Sequence, residues 1–167
     1  MGGLDHDFLL VALSDFSYFD YLKLIRKRGA VHLPDDLMRY MADSFRWIPS
    51  FNVDRKKKKL LPSQGFHFYG PTIIRAEGAA VLERVLTAWA SLFSCGPEKL
   101  ELTGSFIYEH PPEISNDGIT VLAIDDASYN HLAFPRDQVV ARLNRIIRFC
   151  QKVRQKPDEL YILHLGI

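Results

Sequence analysis

Two stretches of the chain carry an apolar stripe at helical spacing, and each stripe needs a surface to cover. In residues 77–93 the stripe is Leu82, Val85, Leu86, Trp89, Leu92 and Phe93. In residues 135–156 it is Val139, Leu143, Ile146, Phe149, Cys150 and Val153. The first helix closes at Cys95-Gly96-Pro97, with Gly96 placed for a left-handed C-cap. Pro135 suits the first position of the second helix. Strand-like segments flank both: residues 66–74, kinked at Gly70, then 100–108, 118–124 and 160–165. From about residue 66 the order is strand, helix, strand, strand, helix, strand. That order predicts an α+β chain with a ferredoxin-like βαββαβ core over 66–167, two helices on one face of a four-stranded antiparallel sheet.

Ahead of this core the pattern is helical. Phe16, Phe19, Tyr21, Leu22, Leu24 and Ile25 form a stripe after Ser14 or Ser17, and Arg26-Lys27-Arg28 followed by Gly29 is a stop. Pro34-Asp35-Asp36 opens a second helix through Leu37, Met38, Met41, Phe45 and Ile48, ended by Pro49. The apolar run 8–13 is a strand or a helical turn, and periodicity leaves both open. Residues 1–50 therefore read as an N-terminal helical extension, and 51–65 as an exposed basic loop. A chain of 167 residues fits one domain with a core of its own.

Lys and Arg number 21 against 20 Asp and Glu, a net charge of +1. Phosphate contacts supply most nucleic-acid affinity, so a dedicated binder carries a clear cationic excess, which this chain lacks. No apolar stretch approaches the ~20 residues a membrane span needs. No cationic segment precedes the short FLLVAL run, so no secretory signal is expected. Cys95 and Cys150 lack CxxC spacing and read as free thiols. The cytoplasm is the expected compartment.

Five consecutive cations, Arg55, Lys56, Lys57, Lys58 and Lys59, precede Phe66, Phe68 and Tyr69. Cations beside aromatics can hold single-stranded RNA, yet residues 100–108 lack the RNA-binding signature such a sheet carries on a central strand. The favoured reading is a solvated loop able to meet an acidic protein. Arg142, Arg145, Arg148 and Lys152 form a second basic face with the same two readings, solvated or docking.

Reactive constellations are sparse. Asp5-His6-Asp7 resembles a chelate on paper, but neighbours on a strand point to opposite faces. Glu109, His110, Asp125 and His131 could converge at the end of a hairpin and form a ligand site. There is no GxSxG elbow and no phosphate-binding loop. Cys95, at a helix C-terminus, faces the dipole end that disfavours a thiolate. No catalytic residue, metal ligand or cofactor is assigned from sequence.

The segment FHFYGPTII with VLERVLTAWASLFSCGPEKLELTGSF, within 66–106, resembles small bacterial toxin-immunity proteins. That resemblance implies a compact α/β domain that binds and blocks a toxin without catalysis; it carries over no functional residue. A non-enzymatic protein-binding module is thus the leading expectation, with the basic residues above as its contact surface. A ligand-binding or enzymatic ferredoxin-like domain and an RNA-binding module are the alternatives.

Overall fold

The computed structural model describes residues 5–25, 29–106 and 129–166. In chain order the elements are β1 (Asp5–Ala12), a 3-10 helix (Tyr18–Leu24), β2 (Val31–Pro34), α1 (Asp35–Tyr40), α2 (Ala42–Phe45), β3 (Pro49–Asp54), β4 (Lys59–Gln64) and β5 (Pro71–Ile74). Then come α3 (Ala76–Ser94), β6 (Lys99–Phe106), β7 (Tyr129–Pro135), α4 (Arg136–Gln155) and β8 (Leu160–Gly166). Six strands form one sheet in the order β2-β1-β8-β5-β3-β4, and every neighbouring pair is antiparallel. The hairpin β6-β7 is a separate two-stranded sheet.

The chain is therefore α+β, built on an antiparallel sheet, but its strand order is not that of a four-stranded ferredoxin-like sheet. The expected succession β5-α3-β6-β7-α4-β8 is present, and β8 does lie beside β5. The other edge of β5 is taken by β3, with Phe51 opposite Ile73 and Asn52 opposite Thr72, so β6 and β7 pair with each other instead. Expected strand 118–124 lies outside the described residues; β6 pairs with 129–135.

The first fifty residues are part of the sheet. Residues 5–12 are a strand because both faces are covered: Phe8 packs on the helix side, Leu9 and Val11 on the other. A strand buried on two sides reads as a continuous apolar run. The expected first helix is a 3-10 helix, capped by Ser17 and Asp20 in a reciprocal box. The expected second helix breaks at Met41 into α1 and α2. In place of the basic loop stands the β3-β4 hairpin, whose turn holds the cations. Gly29 does adopt a positive φ of 100°, as a stop residue would. Gly96 does not: α3 ends through Cys95 in a right-handed conformation.

Helices α3 and α4 pack on each other and on one face of the sheet, burying Leu82, Leu86, Phe93, Leu143, Ile146 and Val153. Full burial of such side chains stabilises by roughly 1.5–3 kcal/mol each. Across the sheet, the 3-10 helix covers Leu9, Val11, Ile73, Tyr161 and Leu163. No described helix is long and apolar enough to cross a membrane.

Candidate functional site

The register of β1, β8 and β5 places His164 between Phe8 and Thr72 on the helix-covered face. His6 lies one pleat along β1 on the same face, so the two imidazoles meet. His6 Nδ1 and His164 Nε2 are 2.9 Å apart, and both side chains are fully buried. On its other side His6 Nε2 is 2.9 Å from Asp35 Oδ1, in the first turn of α1. Arg39, one turn on, donates from Nε to Asp35 Oδ2 at 2.6 Å. A polar chain thus runs inward from an exposed guanidinium through a carboxylate to two buried rings.

Aromatic side chains seal it. Phe68 meets His6 edge-on, ring centroids 4.9 Å apart, while Phe66 lies 4.6 Å from His164 and 5.4 Å from Phe8. The Arg39 guanidinium sits 5.8 Å above the Phe68 ring. The backbone of residues 68–70 crosses the end of β8 so closely that a Cβ on Gly166 would overlap the Phe68 carbonyl. Gly166 N–H donates to the Gly70 carbonyl at 3.2 Å.

The charges follow from this setting. Burial opposes ionisation of Asp35, but hydrogen bonds from His6 and Arg39 outweigh it and hold the carboxyl below its usual range. The hydrogen bond with Asp35 raises Arg39, and a contact with Tyr69 adds to it. Burial lowers His6 despite the neighbouring carboxylate. Burial, then His6 and His67, hold His164 well below the histidine range. Both rings are neutral near pH 7.

At the outer end of this chain Arg39 contacts Tyr69, one of several exposed large side chains. Tyr69 is 69% exposed and Trp47 67%, with Leu92 at 60%. Tyr40, next to Arg39, packs against Trp89 at 5.8 Å and Phe93 at 6.4 Å. Trp89 Nε1–H donates to Ser44 Oγ at 3.0 Å, joining α3 to α2. Arg39 and Tyr40 also line a shallow depression with Asp36, Thr103, Gly104 and Ser105.

The basic residues expected to bind a partner are dispersed. Arg55, Lys56, Lys57 and Lys58 form the β3-β4 turn and Lys59 starts β4; all are exposed. Lys56, Lys57, Lys58 and Lys59 have no carboxylate partner among the described residues, while Arg55 lies 5.6 Å over the Tyr21 ring. On α4, Arg145 donates to the Gly29 carbonyl at 2.9 Å, a contact that ties the helix to the approach to β2. Arg148 and Lys152 are exposed and Arg142 is half-buried. Of the alternative ligand site, Glu109, His110 and Asp125 lie outside the described residues; His131, on β7, is exposed and 3.9 Å from Glu101. In the Asp5-His6-Asp7 run, His6 points inward and Asp7 pairs with His32 on the opposite side, 3.4 Å apart. Among the described residues no cluster of histidine, cysteine and carboxylate side chains could hold a metal ion. Sequence reasoning weighed His6 only as a chelate and did not raise His164, because their meeting depends on strand pairing across the whole chain.

No family model matches the chain, nor does any curated protein or solved structure.

Proposed function

We propose that this chain is a non-enzymatic protein-binding module, of the immunity kind that covers the surface of a cognate bacterial toxin and blocks it sterically. The observation that carries the reading is the exposure of the large side chains Tyr40, Trp47, Tyr69 and Leu92, with Tyr69 in contact with Arg39. Tyr, Trp and Arg dominate the energy of protein interfaces because they bury large area at low entropic cost and still offer a polar contact. Arg39 is already oriented by Asp35, so little freedom remains to be lost on docking. The unpaired cations of the β3-β4 turn serve as a steering charge for an acidic partner, raising the association rate more than the affinity. The cytoplasm is the compartment this reading implies, and both cysteines are free.

The test compares the wild-type chain with a Trp47→Ala/Tyr69→Ala variant, each immobilised and exposed to extract of the source cell. A stoichiometric protein partner held by the wild type should be lost from the variant by ~30-fold or more in affinity, the scale of interface hot spots. Equal retention by both proteins would sink Trp47 and Tyr69 as contact residues. Lys56→Glu/Lys57→Glu should slow association and flatten its salt dependence while leaving dissociation nearly unchanged.

A further inference from the structure

The hydrogen-bond partners of the two buried imidazoles fix where their protons sit. His6 Nε2–H donates to the Asp35 carboxylate, so His6 Nδ1 carries a lone pair. That lone pair accepts Nε2–H of His164. His164 Nδ1 is then a bare acceptor, and it is buried with no hydrogen-bond partner. A third proton has two routes. On His164 it goes directly to Nδ1. On His6 it goes to Nδ1, which then donates to His164 Nε2, and the hydrogen of His164 must move to Nδ1. Both routes end with a buried N–H at His164 Nδ1; the first leaves the positive charge on His164 among Phe8 and Phe66, the second on His6 between Asp35 and Phe68. A buried donor without an acceptor is costly, and more so where it belongs to the charged ring.

The surrounding groups offer little relief. Facing the pair are Asp35 and Arg39 from α1, His32 from β2 and His67 from the segment leading into β5, with Tyr69 beside Arg39. Asp35 is the one carboxylate among them, and Arg39 shares it. Thr72 of β5 accepts the His67 N–H at 2.8 Å. What rests on the rings is α1, which carries Arg39, and the 66–70 segment, which carries Tyr69. Asp35 anchors α1 to His6, Phe66 and Phe68 lie on the two imidazoles, and Arg39 spans from α1 to Phe68.

We propose that the His6–His164 pair is an acid-operated latch, holding α1 and residues 66–70 closed while both rings are neutral and releasing them when a third proton enters. Its consequence for partner binding rests on the functional reading above; the opening itself does not. The direction follows from linkage. Both rings titrate lower in the closed state than an exposed histidine does. Above about pH 6.5 the opening equilibrium is flat, and below it opening increases up to ~10-fold per pH unit for each ring that gains a proton.

Amide hydrogen exchange of the isolated wild-type chain, at about pH 7.5 and about pH 5 and corrected for intrinsic rate, tests the latch alongside imidazole nitrogen shifts. The expected result is a loss of protection of ~10-fold or more at the His67 and Met41 amides, whose acceptors are Thr72 Oγ1 and the Leu37 carbonyl. The Ala79 amide of α3, bonded to the Arg75 carbonyl, should change less. Unchanged protection at His67 and Met41, or a His164 that gains its proton near pH 6.5 with the fold intact, overturns the proposal. His164→Gln keeps a side-chain N–H for His6 and cannot titrate, so its loss of protection must be smaller; an equal loss also counts against the latch. The wild-type comparison decides even if that variant fails to fold. Because no partner is present, this result and the Trp47/Tyr69 result stand or fall separately.

Discussion

The hydroxyl of Tyr161 on β8 reaches the carbonyl oxygen of Phe16 at 3.2 Å, joining the last strand to the approach to the 3-10 helix. The Ser17 carbonyl lies at the same distance, so one O–H is shared between two acceptors. The Tyr18 ring packs edge-on against the Tyr161 ring, 4.8 Å away. Burial, reinforced by Tyr18 and Asp20, pushes the phenol well above its usual range, so it remains a donor at any pH the fold tolerates. Tyr161→Phe keeps the ring and deletes the donor. It should cost about 1 kcal/mol, since the freed carbonyls are near enough to the surface to find water. Urea unfolding should show the loss, with a drop in melting temperature of roughly 2–4 °C. A cost well above this would mean that the carbonyls are sealed from solvent.

A glycine inside α3 gives a prediction whose sign is the test. In an exposed helix interior, Gly→Ala stabilises by about 1 kcal/mol. At Gly78 a Cβ would overlap the Pro49 carbonyl, where the start of β3 passes against the helix, and would press on Ile74. Gly78→Ala should therefore destabilise, by roughly 1–3 kcal/mol, because the obstacle is backbone rather than a movable side chain. Equilibrium denaturation of the variant reads the sign directly. A stabilised variant would mean that α3 and β3 separate more easily than their packing indicates.

The same contact shows why part of the fold was hidden in the sequence. Helices α3 and α4 and strand β8 were legible because their periods are long and their apolar faces complete. Strands β2, β3 and β4 were not, because Pro34, Pro49 and Pro62 look like breakers. Each stands where a sheet tolerates proline: Pro49 is the first residue of β3, while Pro34 and Pro62 lie on the edge strands β2 and β4. The lysine run looked like a loop because a four-residue turn holds most of it, and the flanking strands are short and half-exposed. The separation of β6-β7 from the main sheet depends on β3 capturing the edge of β5, a competition between strands that local pattern does not record. The histidine pair was illegible for the same reason: His6 and His164 are 158 positions apart, and only the β1-β8 register joins them.

The two thiols should differ sharply in reactivity. Cys95 is exposed at the end of α3, whereas Cys150 is fully buried between the helices and the sheet. Burial, with Glu83 adding to it, pushes the Cys150 thiol up to about 12. The thiolate is the nucleophile, so Cys150 is protected both by access and by protonation. A disulfide reagent at neutral pH should modify Cys95 quickly and Cys150 only after denaturation. Rapid reaction of both thiols in the native chain would show that α4 opens on the timescale of labelling.

The β3-β4 turn stores a small conformational strain at a cation. Lys58 has a φ of 49°, in the left-handed region where a side chain costs about 1 kcal/mol and glycine almost nothing. Its amide is 3.4 Å from the Arg55 carbonyl, and the Lys57 amide donates to Asp54 Oδ1 at 3.0 Å, so the turn is fixed by backbone and one carboxylate, without the ammonium groups. Lys58→Gly should stabilise the chain by up to about 1 kcal/mol, and Lys58→Ala should not, although both remove one charge from the cluster. Comparing the two in denaturant at low and high salt separates conformation from electrostatics. A gain shared equally by both variants, and lost at high salt, would assign the effect to repulsion among the five cations instead.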